Sequence, residues 1–257
     1  MPQEPVLAVL LLSTLAAVVG ALGALPFGLP RPPSSAVVGG AYALASGFML
    51  GAGYLLVSRG LDRATIAVLV GAGVGVAYTH WVHVYSGLEE LEPAPALVPG
   101  AEAADGRTIE RGYKILLQSA LHSAAEGIAI GLAMVLELRL GIFLALALAV
   151  HNVAESMALT EILRRRGATV AEAAGLCVVA KITTPVLALA SYALAPVMTA
   201  LLPGALGFAS GCLVFLVLTE LLPASYRQTA KLPVGLMVSV AAGAMVLLEH
   251  LFLRPSG

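Results

Sequence analysis

Residues 115–163 decide the fold and read ILLQSALHSAAEGIAIGLAMVL-ELR-LGIFLALALAVHNVAESMALTEIL. Two apolar runs, each longer than the roughly 20 residues that cross a bilayer as a helix, are joined by only three residues. Such a short connection predicts two antiparallel membrane helices that lie side by side. Each run carries a His and a Glu four residues apart, which places both side chains on one face of its helix.

The composition of the whole chain is typical of a membrane protein. Hydrophobic residues make up 59% and charged residues 11% of the chain, and the mean hydropathy is +0.94. Soluble domains carry about 25% charged residues, so this chain could not cover a water-facing surface. The net charge of −1 argues against nucleic-acid binding, which needs a basic surface. Cys177 and Cys212 lie inside apolar runs and predict neither a disulfide nor a thiolate metal site.

The pattern of apolar runs predicts an all-α integral membrane protein with a single polytopic domain over residues 1–257. We expect the first run to be a membrane helix rather than a secretory signal, because no Lys or Arg precedes it. The Pro- and Gly-containing segment 83–112 predicts a flexible loop. The eight predicted helices cover about residues 6–25, 34–57, 64–81, 115–136, 140–163, 171–198, 205–222 and 234–252.

The distribution of Lys and Arg predicts the orientation in the membrane. With an extracytoplasmic N-terminus, the inner side holds nine of these residues and the outer side four, which agrees with the positive-inside rule. We therefore expect a multi-pass protein of the cell membrane with both termini extracytoplasmic and the loop at 83–112 in the cytoplasm. The inner residues are Arg31, Arg107, Arg111, Lys114, Arg164, Arg165, Arg166, Arg227 and Lys231, and the outer ones Arg59, Arg63, Arg139 and Arg254.

The four ionisable residues of the two central helices are predicted to meet at one depth. The numbers of His122 and Glu155 have the same midpoint, 138.5, as those of Glu126 and His151. Because the short connection centres near that point, all four side chains should lie level in the middle of the bilayer. Two imidazoles and two carboxylates suit a divalent cation, zinc first, and also iron, manganese or cadmium. The alternative is a buried hydrogen-bond network in which Lys181 supplies the counter-charge.

At these motifs the chain resembles the ZIP family of divalent-metal transporters, in its bacterial and archaeal branch. The stretches HSAAEG at 122–127 and HNVAES at 151–156 are similar to the family's motifs on helices four and five. The stretch ELLP at 220–223 looks like part of its seventh helix. The resemblance implies eight helices in a 3+2+3 arrangement, with the metal site on helices four and five. It also implies transport of a divalent metal as substrate, zinc foremost, toward the cytoplasm.

The departures from the family pattern concern a second, adjacent metal position. The resemblance places Ser123, Asn152 and Thr184 there, and none of the three is an acid. Lys181 precedes Thr184 by about one turn, where its ammonium would repel a second cation. We therefore expect one strong metal site beside a weakened second one.

Several interpretations remain open at the level of sequence. His80 and His83 near the inner end of the third helix, and Glu220 near that of the seventh, are candidates for a metal exit or ordinary residues of the helix ends. A carrier, and not an enzyme, is the leading interpretation of the whole chain. The alternatives are an intramembrane metal-dependent hydrolase, against which the absence of an HExxH motif argues, and a metal sensor that does not transport. Stripes of small residues would permit a homodimer.

Overall fold

Eight helical spans make up the architecture. The computed structural model describes residues 3–86, 106–165 and 167–253, and every regular element in those ranges is a helix. Eight of its helical segments are long and apolar enough to cross a membrane. The prediction of an all-α protein with eight spans is therefore confirmed. The spans are Val6–Gly28, Ser35–Leu61, Thr65–Tyr85, Ser119–Leu136, Leu138–Arg164, Val170–Leu194, Thr199–Gln228 and Lys231–Leu251.

Most spans are single α-helices, whereas the first, sixth and seventh are composite. The first span continues beyond its α-helix as a 3-10 helix, Ala21–Gly28. In the described part of the chain the α-helices are α1 (Gln3–Gly20), α2 (Ser35–Leu61), α3 (Thr65–Ser86), α4 (Gly106–Leu136), α5 (Leu138–Arg165), α6 (Val170–Ala180), α7 (Thr183–Leu194), α8 (Leu202–Leu216), α9 (Leu222–Gln228) and α10 (Lys231–Leu253).

The predicted loop at 83–112 lies mostly outside the described residues. α3 continues to Ser86 and α4 begins at Gly106, so both ends of this segment are helical. Residues 87–105 are outside the described ranges, and the flexibility expected of them stays a prediction. Arg166 and Arg254, which contribute to the predicted charge distribution, lie outside these ranges as well.

Helix packing divides the spans into two bundles. The first bundle consists of α1, α4, α5, α6 and α7. The second consists of α2, α3, α8, α9 and α10, with extensive packing of α3 on α8 and of α2 on α10. The bundles meet where α2 packs on α5 and where α4 packs on α8. The 3+2+3 arrangement expected from the resemblance divides the chain differently and stays a prediction.

The apolar core runs through both bundles. Met49 and Leu56 on α2 and Leu144 and Leu148 on α5 belong to one contiguous cluster of buried side chains. The outermost helices α3 and α10 instead expose large apolar side chains such as Ile66. Because lipid is as apolar as these side chains, such a surface is expected of a protein in a bilayer.

A proline interrupts the sixth span near its middle. Pro185 has no N–H and cannot donate to the carbonyl of Lys181 four residues earlier, and its ring would clash with that carbonyl. α6 accordingly ends at Ala180, α7 begins at Thr183, and the backbone turns at residues 181 and 182. The Lys181 carbonyl instead accepts a hydrogen bond from the Thr184 N–H at 3.1 Å.

A second proline coincides with a wide turn in the seventh span. Val217–Leu221 forms a π-helix directly before α9, and Pro223 stands in the first turn of α9. The helix therefore continues past the position near residue 222 at which the sequence predicted its end. Glu220 lies on the π-helical turn, and such turns often occur at functional sites.

Candidate metal centre

Three of the four predicted ligands come together between α4 and α5. The His151 Nε2 lies 3.5 Å from Oε1 of Glu126 and 3.4 Å from Oε2 of Glu155. One ligand atom from each of the three side chains lies within 4.8 Å of the others. His151 and Glu126 are fully buried, whereas the Glu155 side chain is 22% exposed. We call Glu126, His151 and Glu155 the core triad.

The connection between α4 and α5 brings the triad together. Only Glu137 separates the two helices, which must therefore run antiparallel and in contact. On α5, His151 and Glu155 stand at positions i and i+4 and share one face. That face meets α4 at Glu126. Two carboxylates and an imidazole converging at one buried point form an oxygen- and nitrogen-rich site suited to zinc.

His122 belongs to a second group of candidate ligands rather than to the core triad. Its Nε2 lies 3.5 Å from Oε1 of Glu220, and the same oxygen lies 2.9 Å from Nε2 of His83. The rings of His83 and His122 have centroids 5.8 Å apart. One ligand atom from each of these three side chains also lies within 4.8 Å of the others. We call His83, His122 and Glu220 the bridging triad, because it joins the two bundles.

A hydrogen bond between Ser119 and Glu155 indicates the register of α4 against α5. The connection centres on Glu137 and not on the predicted point near 138.5. Ser119 and Glu155 stand 18 residues before and after Glu137, since 137 − 119 and 155 − 137 are equal. The Ser119 hydroxyl accordingly donates a hydrogen bond of 2.8 Å to Oε1 of Glu155. The sequence prediction overlooked Ser119, although it shares a helical face with Glu126 two turns further along.

Lys181 reaches into the core triad from the break between α6 and α7. Its Nζ lies 3.0 Å from Oε1 of Glu126 and also forms a hydrogen-bonded ion pair with Oε2 of Glu155. The Lys181 side chain is only 2% exposed. A buried carboxylate is costly unless a cation or hydrogen-bond donors accompany it. The structure thus contains the counter-charge that the hydrogen-bond-network alternative requires.

Several buried polar atoms of the two triads still lack a hydrogen-bond partner among the described residues. These atoms are Nε2 of His122, Oε2 of Glu126, and both ring nitrogens of His151. The nearby carboxylate oxygens lie close enough for electrostatic attraction but do not meet hydrogen-bond geometry. Unsatisfied buried polar atoms cost about 1–3 kcal/mol each, so a native site that carries them needs an explanation. Binding of a metal cation by the lone pairs of these atoms would supply that explanation.

Each of the three residues of the expected second metal position donates a side-chain hydrogen bond to a backbone carbonyl. The Asn152 side chain donates to the Ala16 carbonyl on α1 at 3.0 Å and so anchors α5 to α1. The Thr184 hydroxyl donates to the Ser123 carbonyl at 3.2 Å, and the Ser123 hydroxyl donates to the Ser119 carbonyl at 2.7 Å. The Thr184 bond joins α7 to α4, whereas the Ser123 bond lies within α4. The weak second site stays a prediction.

The fold and its buried ligands define a class of protein, namely an integral membrane protein with a histidine- and carboxylate-rich intramembrane site. A model of a protein family described as ZIP zinc transporter matches residues 99–249. This match covers more than half of the chain, which therefore belongs to the ZIP zinc transporter family. The predicted family is thereby confirmed. The chain belongs to a family of transporters and not to a family of enzymes.

Two relatives illustrate the similarity over most of the chain. A protein of Arabidopsis thaliana that carries a provisional description as a zinc transporter is 27% identical over 236 residues, which cover 90% of this chain. Those residues are 36% of the Arabidopsis protein, so the chain spans about a third of that relative's length. Zinc transporter GufA of Myxococcus xanthus is 28% identical over 177 residues, which cover 67% of each protein.

Proposed function

We propose that this chain carries a divalent transition-metal cation across the cell membrane toward the cytoplasm. Zinc is the leading substrate, and iron, manganese and cadmium are further candidates. The observation that carries the proposal is the pair of adjacent triads, one inside the first bundle and one between the bundles. The names of the two relatives, both of which mention zinc transport, support the same substrate.

The two triads suggest an order of binding along the path. The core triad lies wholly on α4 and α5, whereas the bridging triad takes His83 from α3 and Glu220 from the seventh span. With both termini extracytoplasmic, α3 and the seventh span both run inward, which places the bridging triad on the cytoplasmic side. We propose that a cation binds first at the core triad and then passes to the bridging triad. His122 of the bridging triad lies on α4, the helix that also carries Glu126 of the core triad.

Ligand chemistry accounts for both capture and release. Zinc is bound by deprotonated carboxylates and neutral imidazoles, so metal binding displaces protons from such a site. Glu126 and Glu155 supply negative charge that attracts the cation, and His151 supplies a nitrogen ligand. The bridging triad contains only one carboxylate, so it should hold a cation more weakly and let it leave toward the cytoplasm. Relative movement of the two bundles would carry out the transfer.

Zinc uptake into liposomes tests the proposal. The purified full-length chain is reconstituted with a zinc-sensitive dye inside the vesicles, beside His151→Ala and His83→Ala. His250→Ala is the control, because this exposed histidine lies near the end of α10, outside both triads. We expect saturable zinc uptake by the wild-type chain and at least about tenfold slower uptake by His151→Ala and by His83→Ala. Mutation of a residue that only supports a metal ligand already lowers affinity or activity about 10- to 100-fold, and loss of the ligand itself should lower it at least as much.

Other outcomes would point elsewhere. Zinc binding at one ion per chain without uptake would favour a sensor that does not transport. No zinc binding by the wild-type chain would overturn the metal hypothesis, and equal uptake by wild type and His151→Ala would remove the core triad from the path. A homodimer is a further expectation, which the mass of the reconstituted particle would test.

A further inference from the structure

Lys181 occupies the place in the core triad at which a metal would bind. Its Nζ contacts Oε1 of Glu126 and Oε2 of Glu155, and these are the same two oxygens that lie closest to Nε2 of His151. A zinc ion held by those oxygens would lie about 2.0–2.2 Å from each of them. The ammonium and the metal would then claim the same space and the same lone pairs.

We propose that Lys181 is a tethered competitor of the transported metal, an internal cation that occupies the site when no metal is bound. A divalent cation binds the core triad only after the Lys181 ammonium withdraws from Glu126 and Glu155. This proposal rests on the proposed function, because it takes the core triad to be the metal site. The competition needs no change in the protonation of Lys181.

The charges of the site favour this exchange. Glu126 and Glu155 place two negative charges in a buried environment, and Lys181 is the cation in direct contact with both. Without any cation the two carboxylates would repel each other and lack compensation, which strongly destabilises a folded protein. Lys181 therefore keeps the empty site folded, whereas a divalent metal would compensate both carboxylates by itself. The lysine is needed in the absence of metal and is superfluous in its presence.

The backbone around Lys181 permits the withdrawal. Lys181 is the residue that follows α6, and Pro185 prevents its carbonyl from joining a regular helical hydrogen-bond ladder. Its N–H donates to the Val178 carbonyl and its carbonyl accepts from the Thr184 N–H, each at 3.1 Å. Residue 181 thus stands at a joint between two helices. Its four-carbon side chain can move its charge without unfolding either helix.

The competition predicts that the lysine weakens metal binding by a definite factor. If the Lys181 side chain is withdrawn in about 1–10% of the molecules, the apparent dissociation constant for the metal rises about 10- to 100-fold. The lysine would then set the concentration at which metal enters and speed its departure. It would also disfavour a second cation beside the first, as the sequence analysis predicts.

Zinc titration of a lysine variant tests this inference. The full-length chain in detergent is titrated with zinc against a chromophoric chelator, as wild type, Lys181→Met and the control Lys231→Met. Lys231 is exposed at the start of α10, so its variant removes the same charge outside the site. We expect Lys181→Met to bind zinc about 10- to 100-fold more tightly than wild type. Lys231→Met should bind as wild type does.

Thermal unfolding provides the second measurement. We expect metal-free Lys181→Met to unfold at a lower temperature than wild type and to gain more from added zinc. If this variant folds only in the presence of zinc, that result also supports the competitor role. Lys181→Gln, which keeps a hydrogen-bond donor without the charge, should show the same tightening.

The outcomes separate this inference from the proposed function. Equal or weaker zinc binding by folded Lys181→Met and Lys181→Gln would overturn the competitor role, because the lysine would then only position the carboxylates. Tighter binding by these variants together with an absence of zinc uptake by wild-type vesicles would instead support the competitor and overturn transport.

Discussion

Glu155 connects the contacts that define the core triad at the residue scale. It accepts a hydrogen bond from Ser119, lies 3.4 Å from His151 and pairs with Lys181. The Ser119 bond uses Oε1, which leaves Oε2 for the cation and the imidazole. One carboxylate oxygen is thus held by the protein while the other faces the site. Residues that orient a ligand in this way commonly affect metal affinity as strongly as some ligands do.

The role of Ser119 leads to a prediction for a positioning residue. Ser119→Ala should lower zinc affinity about tenfold, because supporting partners of metal ligands typically contribute 10- to 100-fold. Zinc titration of the purified chain provides the measurement. Ser13→Ala is the matched control, since Ser13 is buried and its hydroxyl bonds only to carbonyls of its own helix α1. An unchanged affinity in Ser119→Ala would show that Glu155 is oriented without this bond.

At the scale of elements, prolines and glycines shape the helices that surround the site. Pro185 produces the joint that holds Lys181, and the turn before Pro223 carries Glu220 toward the bridging triad. Gly127 follows Glu126 on α4 and allows close approach of α7. A Cβ at position 127 would collide with the Thr184 carbonyl. The close contact of these two helices therefore depends on a residue without a side chain.

A glycine substitution tests this contact between helices. Gly127→Ala should destabilise the protein by about 1–3 kcal/mol, the usual cost of overpacking a close contact. Gly243→Ala is the control, because a Cβ there meets no atom within 4 Å. Alanine in a helix is intrinsically favoured over glycine by about 0.5–1 kcal/mol, so the control should be neutral or slightly stabilising. Thermal unfolding in detergent measures both, and equal stability of the two variants would contradict the packing argument.

At the scale of the whole molecule, the two bundles contribute different candidate ligands to the two triads. The core triad and Lys181 belong entirely to the first bundle, whereas the bridging triad takes residues from both. A movement of one bundle against the other would leave the core triad intact and open or close the bridging triad.

The orientation of the molecule is testable with single cysteines. In a chain without Cys177 and Cys212, Asp62→Cys lies in the connection between α2 and α3 on the expected outer side. Arg164→Cys lies near the end of α5 on the expected inner side. We expect a membrane-impermeant maleimide to label Asp62→Cys in intact cells, and Arg164→Cys only after permeabilisation, because the positive-inside rule places the Arg-rich segment inside. The reverse labelling pattern would invert the predicted topology.

The sequence by itself determined the eight spans and the placement of candidate ligands such as His151 and Glu155 on one helix face. Apolar runs of membrane-spanning length leave a chain no other way to satisfy its backbone in lipid. The spacing of His151 and Glu155 likewise places them on one helical face, whatever the rest of the molecule does. These features depend only on residues close in sequence, which explains why they could be predicted.

Only the tertiary structure decided how the candidate ligands are grouped. The one-residue connection at Glu137 brought Ser119 into contact with Glu155. Packing of the third and seventh spans then placed His83 and Glu220 beside His122, and the break in the sixth span brought Lys181 onto both carboxylates. These outcomes depend on the register and contact of helices distant in sequence. A shift of one residue rotates a helix by about 100°, so spacing along the chain could not settle them.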